Sequence, residues 1–149
     1  MGFQGVYYNA IDAKGRVSIP ARFRELLATG DDALVVTQDR GGIVAYPVAE
    51  WDAFMRNFAA LPYDEFREAL YFATVTPATR CTFDKQGRIQ IPQSLRENCQ
   101  LDTDGERDAV IVGADRSIQV WNKGKYAAML AEAEQRLAQM RQRRLELGL

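Results

Sequence analysis

Two short stretches of the chain alternate apolar and polar residues, as β-strands with one buried face do. In the first, Val17 and Ile19 are predicted to point to one side, and Arg16 and Ser18 to the other. Residues 88–91 repeat this pattern. Each stretch follows an Asp-x-x-Gly turn signal, in which the glycine supplies a positive φ. The pattern therefore predicts two hairpin strands, each with an arginine beside its turn.

A short helix and a second hairpin are predicted after the first of these strands. Pro20 cannot donate to a β ladder but fits the first turn of a helix. The helix is predicted to cover residues 21–28 and to end before Gly30. Strands at 33–37 and 43–46 follow, joined by a tight turn. A unit of about four such short strands is too small for a stable isolated sheet, so two units must share a core.

Helical periodicity follows the second hairpin. After Pro47, apolar residues recur at i, i+3, i+4 and i+7. These residues are Trp51, Phe54, Met55 and Phe58. The aromatic stripe is interpreted as core or subunit interface rather than as a platform for stacking nucleic-acid bases. Asp64 is predicted to cap a second short helix that carries Phe66 and Leu70.

The C-terminal segment, residues 122–147, is predicted to be a third helix. Its apolar residues fall at the four–three spacing of a helix packing seam. They are Tyr126, Leu130, Ala133, Leu137 and Met140. The expected role of this seam is packing on its own or on a neighbouring subunit. Arg141, Arg143 and Arg144 form a basic tip, which is either a solvated helix end or a phosphate contact.

The chain contains an internal repeat. Residues 12–24 match residues 84–96, and six of the thirteen positions are identical. The identical residues of the two copies are Asp12 and Asp84, Gly15 and Gly87, Arg16 and Arg88, Ile19 and Ile91, Pro20 and Pro92, and Arg24 and Arg96. The match continues, with residues 33–40 parallel to 109–116. The sequence therefore predicts a tandem duplication.

Four segments are expected from this repeat. We refer to residues 6–54 as the first copy and to residues 81–126 as the second copy. Connecting helices are expected at 55–80 and a C-terminal helix at 127–149. The fold class is mainly β with added α-helices.

Composition excludes several classes of protein. The chain has 149 residues, of which 47% are hydrophobic and 26% charged, as in an ordinary globular domain. No run approaches the roughly 20 apolar residues that span a bilayer, so no membrane association is expected. The first residues lack the basic start and the apolar stretch of a secretory signal, which leaves the cytoplasm as the expected location.

Catalytic chemistry has little support in the sequence. The chain has no histidine, which removes the usual general base and the commonest zinc ligand. Cys81 and Cys99 do not make a disulfide framework and are expected to be buried thiols. No glycine-rich loop has the spacing of a phosphate-binding motif. The protein is therefore not expected to be an enzyme, and no cofactor or metal is expected.

Positive charge is concentrated in two short segments. The formal net charge is only −1, but residues 12–24 carry +3 and residues 84–96 carry +2. Fifteen of the nineteen cationic residues are arginines. The planar guanidinium suits bidentate contacts to phosphates and to guanine edges, and it equally suits ion pairs with carboxylates.

The residues of the repeated motif divide into two groups by expected role. Arg16 and Arg88 lie beside a turn on the polar face, where folding requires no cation, so contact with phosphate or base is favoured for them. Asp12 and Arg24 are expected to pair and to pin the hairpin to the helix. The structural group as a whole is Asp12, Gly15, Pro20, Arg24, Asp84, Gly87, Pro92 and Arg96.

The motif Asp-x-x-Gly-Arg-[Val/Ile]-x-Ile-Pro-x-x-[Phe/Leu]-Arg, present twice, resembles the SpoVT/AbrB family of swapped-hairpin DNA-binding proteins. The resemblance covers residues 3–130. It implies that the two copies form one pseudo-dimeric β-barrel of interlocked hairpins. It also implies a ring-shaped homo-oligomer that associates with the nucleoid. The two-copy regulators of this family bind double-stranded DNA at direct repeats upstream of a division and cell-wall gene cluster, where they usually repress.

The same resemblance implies a set of DNA-facing residues. By the resemblance these are the two turns at 14–16 and 86–88. With the cations beside the turns included, the expected DNA-binding residues are Lys14, Arg16, Arg22, Lys85 and Arg88. The second copy has Gln86 in place of Lys14 and Ser94 in place of Arg22, and Lys85 only partly compensates. The first copy is therefore expected to dominate DNA contact.

Two other functions fit the motif. One is an antitoxin-like DNA binder of another branch, acting as a small oligomer. The other is a protein-binding swapped-hairpin module, in which the Gly-Arg turns have no special role.

Overall fold

The computed structural model describes residues 2–101 and 108–149. The first copy forms strands β1 (Val6–Ala10) and β2 (Arg16–Ser18), helix α1 (Ala21–Glu25), and strands β3 (Ala33–Asp39) and β4 (Gly42–Pro47). Helix α2 (Val48–Ala59), helix α3 (Glu65–Leu70) and a π-helical turn (Tyr71–Val75) follow. The second copy forms β5 (Thr79–Thr82), β6 (Arg88–Gln90), α4 (Gln93–Asn98), β7 (Asp108–Ala114) and β8 (Ser117–Asn122). Helices α5 (Lys123–Gln139) and α6 (Arg141–Glu146) complete the chain.

The strands of the two copies are interleaved. One antiparallel sheet has the order β1-β7-β8-β4-β3-β5, and β2 pairs with β6 in a second, two-stranded sheet. The first strand of each copy therefore pairs with the third strand of the other copy. The prediction of a mainly β fold with helices, including a C-terminal one, is confirmed. The large sheet is not a closed barrel, because its edge strands β1 and β5 do not pair with each other. Strands β2 and β6, which follow β1 and β5 in the chain, belong to the two-stranded sheet instead.

The strand registers of the two copies are equivalent. Leu34 pairs with Cys81, and Ala109 pairs with Asn9. Asn9 and Cys81 are equivalent because they are 72 positions apart, the spacing of the repeated motif, so Leu34 corresponds to Ala109. These two residues are 75 positions apart in the chain. The sequence match of residues 33–40 with 109–116 placed equivalent residues 76 positions apart, so that match was wrong by one residue. The two apolar runs look alike after a slip of one residue, and only the pairing partners fix the correct register.

The core lies between the two sheets. Val17 pairs with Ile89 at the centre of the two-stranded sheet, and both side chains are fully buried. Phe23 of α1 is also fully buried, with the rings of Phe3 and Tyr7 edge-on at 5.7 and 5.3 Å. The alternation seen in the sequence thus orients both short strands with their apolar faces inward.

Most helix starts follow the expected signals. Pro20, Pro47 and Pro92 stand at the N-caps of α1, α2 and α4. The side chain of Asp64 caps α3 by accepting from the backbone N–H of Arg67 at 3.0 Å, as predicted. Among the helices of the described ranges, none combines the length and the apolar content that crossing a bilayer requires.

Some boundaries differ from the expected ones. Helix α1 ends at Glu25, three residues before the predicted end. The C-terminal helix is divided at Met140, whose φ of −104° and ψ of 26° interrupt the helical backbone. Strand β5 begins at Thr79, ahead of the expected start of the second copy at residue 81. Residues 102–107 of that copy lie outside the described ranges.

Candidate nucleic-acid interface

The first turn is organised around the carboxylate of Asp12. Its Oδ1 accepts from the backbone N–H groups of Lys14 at 3.0 Å and Arg16 at 2.9 Å. Its Oδ2 accepts from Nε of Arg16 at 2.7 Å. Gly15 closes the turn with a φ of +81°, which favours glycine. The carboxylate therefore fixes both the turn and the direction of the arginine beside it.

The second turn repeats this arrangement around Asp84. Its carboxylate accepts from the backbone N–H groups of Gln86 and Arg88, both at 2.9 Å, and from Nε of Arg88 at 2.8 Å. These bonds favour the charged form. They lower the pKa of Asp84 below its usual value of 3.8, with the backbone N–H of Arg88 as the largest cause. The pKa of Asp12 is lowered in the same way, chiefly by the backbone N–H of Arg16.

Each turn is held by the helix of the other copy. The guanidinium of Arg96 covers Gly15, where a Cβ would lie 2.4 Å from its Cζ. Arg24 covers Gly87 in the same way, at 2.6 Å. The backbone adds reciprocal bonds, since Ile19 donates to the carbonyl of Gly87 at 3.1 Å, and the equivalent bond joins the second copy to the first turn at 2.9 Å.

The expected pair between Asp12 and Arg24 is not formed. Asp12 binds Arg16 of its own turn instead, and Nε of Arg24 donates to the carbonyl of Ile19 at 3.1 Å. The swap explains the difference, because it carries Arg24 across to the turn of the second copy. Arg24 and Arg96 therefore lie against the turns of the opposite copies, and the pair between Arg24 and Asp12 is replaced by the bond from Arg24 to Ile19.

Four polar side chains project from the outer face of the two-stranded sheet, opposite the buried Val17 and Ile89. They are Arg16, Ser18, Arg88 and Gln90. Nε2 of Gln90 donates to the backbone carbonyl of Lys14 at 2.8 Å, so the second copy also braces the first turn. The face thus brings together residues that are 72 positions apart in the chain.

The two arginines of this face are linked through the aspartates. Nη1 of Arg88 lies 3.7 Å from Oδ2 of Asp12, in addition to the bond between Arg88 and Asp84. The four charges form a chain from Arg16 through Asp12 and Arg88 to Asp84. The arginine side chains retain 33% and 25% of their exposure, respectively, so part of each guanidinium still faces solvent.

Three further predicted cations lie in the open. Lys14 and Lys85 occupy the tips of the two turns, and Arg22 projects from α1. All three are exposed, and within residues 2–101 and 108–149 none of them forms an ion pair with a carboxylate. Their charges are therefore available to an anionic partner, whereas those of Arg16 and Arg88 are shared with aspartates.

A groove beside this face contains a cation that the sequence did not single out. The groove has a volume of about 460 Å³, and Arg16, Arg80 and Arg88 line it together with Asp84. Arg80 lies on the edge strand β5, with Nη2 3.4 Å from a carboxylate oxygen of Asp32. No local signal marks Arg80, because it falls in the segment expected to connect the two copies.

The remaining reactive side chains offer little chemistry. Both cysteines are free and buried, and burial raises the pKa of each thiol to about 11. Across the part of the chain that the structure describes, no three histidine, cysteine or carboxylate side chains are placed to share a metal ion.

Comparison with known proteins identifies the family. The family model described as "MraZ protein, putative antitoxin-like" matches residues 3–71 and again residues 74–147. A "Transcriptional regulator MraZ" from Syntrophotalea carbinolica is 45% identical, with 99% of each chain covered. A protein of the same name from Desulfitobacterium hafniense is 36% identical, with 99% of each chain covered. Another from Geobacter sulfurreducens is 37% identical over 83% of this chain and 84% of the relative.

These relatives also bear on the question of catalysis. Transcriptional regulators are a non-enzymatic class, in agreement with the expectation that the chain is not an enzyme. The doubled motif, its two equivalent turns and the matches over almost the whole chain lead to one conclusion. The chain belongs to the MraZ family.

Proposed function

We propose that this protein is a sequence-specific DNA-binding transcriptional repressor that recognises direct repeats upstream of a division and cell-wall gene cluster. The observation that carries the proposal is the outer face of the two-stranded sheet, where both turns present a carboxylate-held arginine next to exposed cations. The name of the relatives, transcriptional regulator, supports the same function.

The arginine geometry suits recognition of DNA. Arg16 binds Asp12 through Nε, and a guanidinium has four further N–H donors on its two terminal nitrogens. Because the bond from Nε to the aspartate already restrains the arginine side chain, less side-chain entropy is lost when its terminal nitrogens bind a phosphate or the O6 and N7 atoms of guanine. Each bidentate contact to guanine supplies about 1–3 kcal/mol of discrimination. Arg16 and Arg88 are therefore the residues that read the site.

The exposed cations supply attraction without sequence preference. Lys14, Arg22 and Lys85 are unpaired among the described residues and suit contacts to the phosphate backbone, which depend strongly on salt. Two of these three belong to the first copy. We therefore infer that the first copy contributes more of the affinity.

Assembly is needed because one chain has a net charge of only −1. In a ring-shaped homo-oligomer, neighbouring subunits repeat the basic face at a fixed spacing, and linked sites gain about 10²–10⁴ in affinity. A head-to-tail ring also fits direct repeats, whereas an isolated two-fold dimer fits a palindrome. We place this assembly in the cytoplasm, associated with the nucleoid.

A tandem duplication accounts for the pseudo-symmetry. The two copies have the same order of elements and equivalent pairing registers, and the family model matches the chain twice. The segments 6–54 and 81–126 are the two units of this proposal, joined by 55–80 and followed by 127–149.

The test is a mobility shift on DNA from upstream of the protein's own gene, repeated with one direct repeat scrambled. We expect Arg16→Ala to abolish the shift while leaving the fold intact, as checked by thermal unfolding. Arg116→Ala, at an exposed position in the β7–β8 turn, is the matched control and should bind normally. Arg88→Ala should weaken binding less than Arg16→Ala does. Unchanged affinity in a folded Arg16→Ala variant would refute the assignment.

One observation favours a second candidate. The family description includes the words antitoxin-like, which fits a DNA binder that acts as a small oligomer. Light scattering separates a dimer from a large ring. A protein-binding module, by contrast, is distinguished by the absence of any mobility shift at moderate salt.

A further inference from the structure

The groove beside the outer face of the two-stranded sheet opens where strands β5 and β6 separate. The backbone N–H of Asp84 donates to the carbonyl of Arg88 at 2.9 Å and closes the hairpin at its turn. Beyond this bond, β5 pairs with β3 in the large sheet, and β6 pairs with β2 in the small one. The gap between β5 and β6 is the cavity of about 460 Å³ that Arg16, Arg80 and Arg88 line.

Alternation along this hairpin places Arg80 on the same side as Arg88. Cys81 and Ile89 are buried in the core, so the even-numbered residues of both strands and of their flanks point away from it. Those that line the groove are Arg80, Thr82, Asp84, Arg88, Gln90 and Pro92. Arg80 is four residues from the turn aspartate, which is about 13 Å along an extended strand. The groove therefore extends positive charge from the turn along β5.

The carboxylates near this groove leave its guanidinium groups available. Nη2 of Arg80 lies 3.4 Å from Oδ1 of Asp32, and the two side chains keep 61% and 72% of their exposure. Exposed ion pairs of this kind contribute little, because water solvates both groups and the side chains lose entropy. Asp84 lines the groove but already accepts from Nε of Arg88 at 2.8 Å. A phosphate can therefore replace Asp32 as the partner of Arg80.

A tyrosine takes the place of Arg80 in the first copy. Tyr8 stands 72 positions earlier, at the matching place on β1. The gap between β1 and β2 is also bridged there, since Nδ2 of Asn9 donates to the backbone carbonyl of Ser18 at 3.4 Å. Cys81, the counterpart of Asn9, bonds within its own strand. The second copy thus has an arginine and an opening where the first copy has a tyrosine and a bridge.

We propose that this groove binds the phosphate backbone of DNA and that Arg80 exchanges Asp32 for a phosphate there. This assignment rests on the proposed function, since Arg16 and Arg88 belong both to the DNA-binding face and to the groove. The contact supplies affinity without sequence preference, because phosphates carry no sequence information. It partly offsets the two cations that the second copy lacks in comparison with Lys14 and Arg22.

The test is fluorescence anisotropy of the full chain with DNA from upstream of its own gene and with a scrambled sequence, over a salt series. Arg80→Gln should weaken binding to both DNAs and lower the slope of log affinity against log salt by about 1 for each bound subunit. Arg80→Lys should restore the slope, since a phosphate requires only the positive charge. Thermal unfolding should be unchanged in both variants, because the Arg80 side chain is exposed.

Arg40→Gln is the matched control. Nε of Arg40 likewise lies 3.4 Å from a carboxylate oxygen of Asp39, and the arginine side chain is 71% exposed. Asp32 precedes β3 and Arg40 follows it, so the two ion pairs lie at opposite ends of that strand. Arg40→Gln should therefore keep the wild-type affinity and slope. A loss as large as that of Arg80→Gln would indicate net charge rather than the groove and would overturn the proposal.

A second variant tests the exchange of partners. Asp32→Asn should strengthen binding by up to about fivefold, because it releases Arg80 from an exposed ion pair. The same substitution in the Arg80→Gln background should have no effect. An equal gain in both backgrounds would show that Asp32 acts on DNA without Arg80 and would overturn the exchange.

Neutral methylphosphonate linkages, placed one at a time along the upstream DNA, locate the contact. At one position the linkage should weaken binding of the wild type but not of Arg80→Gln, and the absence of any such position would overturn the proposal. A loss confined to the upstream DNA would mean that Arg80 reads bases and would overturn the assignment to phosphate.

The wild type separates this proposal from the proposed function. If the wild type binds no DNA, the proposed function fails and the groove assignment fails with it. If the wild type binds DNA and Arg80→Gln binds equally well, only the groove assignment is wrong.

Discussion

The first and the second turn share the hydrogen bonds of their aspartate carboxylates but differ in charge. Asp12 and Asp84 accept equivalent bonds at distances that agree within 0.1 Å. Lys14 at the first tip, however, is replaced by a glutamine at the second. Arg22 on α1 likewise has Ser94 as its counterpart on α4. This difference in charge lies in side chains that face solvent.

The identical positions explain this division. Gly15 and Gly87 lie under an arginine of the other copy, and Ile19 and Ile91 are buried in the shared core. A substitution at these positions would disturb both copies at once, because each copy completes the other. The exposed positions carry no such constraint, so the two copies are free to differ there in charge.

The largest expected difference between the copies concerns the core residue of each short helix. Phe23→Ala should lower the free energy of unfolding by about 3–5 kcal/mol, since it removes a buried ring packed edge-on against two others. Leu95→Ala at the equivalent position should cost less, within about 2–5 kcal/mol. Chemical denaturation with unchanged m-values measures both. A greater loss for Leu95→Ala would show that the second copy anchors the core.

The turn glycines should respond equally. Gly15→Ala and Gly87→Ala each place a Cβ at positive φ and against a guanidinium, so each should cost roughly 1–2 kcal/mol or more. Gly30→Ala is the matched control, because Gly30 has a φ of +90° with no atom within 4 Å of a Cβ. The loss of unfolding free energy in Gly15→Ala or Gly87→Ala beyond the loss in Gly30→Ala measures the cost of displacing the arginine. If this additional loss differs between Gly15→Ala and Gly87→Ala, the two turns are not held equally by the arginines of the opposite copies.

Exchange of the tip residues should sharpen the comparison of charge. Lys14→Gln should weaken DNA binding for all sequences and reduce the slope of log affinity against log salt by about 1. Gln86→Lys should change affinity and slope in the opposite direction. Fluorescence anisotropy over a salt series measures both. Equal slopes in the two variants would contradict the inference that these tips face the phosphates.

The smallest effect should come from the aspartates and should depend on pH. Both carboxyl groups have pKa values below the usual 3.8, so the stability that they supply is present above that pH and is lost as pH falls through the lowered pKa. Asp12→Asn and Asp84→Asn should therefore be destabilising at pH 7 and approach the wild type in acid.

Asp12→Asn should have the larger effect of the two, because Asp12 also receives Arg88 from the other copy. Thermal unfolding from pH 2 to 7 measures the difference. If the difference in stability between the wild type and either variant increased as the pH fell, the direction of these pKa shifts would be wrong.

Local features of the fold follow directly from the sequence. The Asp-x-x-Gly turns, the prolines at helix starts and the cap at Asp64 all depend on residues within a few positions of each other. Each signal has one main physical cause, such as a positive φ or an unsatisfied backbone N–H group. The exposure of Lys14 and Lys85 likewise follows from their place at turn tips.

Features that depend on distant parts of the chain could not be obtained in this way. Tyr8 pairs with Val110, and no local pattern selects β7 as the partner of β1. The position of Arg24 over Gly87 follows from that swap, and so does its separation from Asp12. Met140 interrupts the C-terminal helix without glycine or proline, so its neighbourhood reads as continuous helix in the sequence.

The interleaved order of the strands has a consequence for synthesis. As the chain leaves the ribosome, β1 emerges first, but its partner β7 begins about a hundred residues later at Asp108. The β3–β4 hairpin can pair with β5 before then, but its β4 edge waits for β8, which follows β7, and that open edge is exposed to other nascent chains. Folding is therefore completed only after translation is nearly finished, and polysomes that make this protein should depend on chaperones until that point.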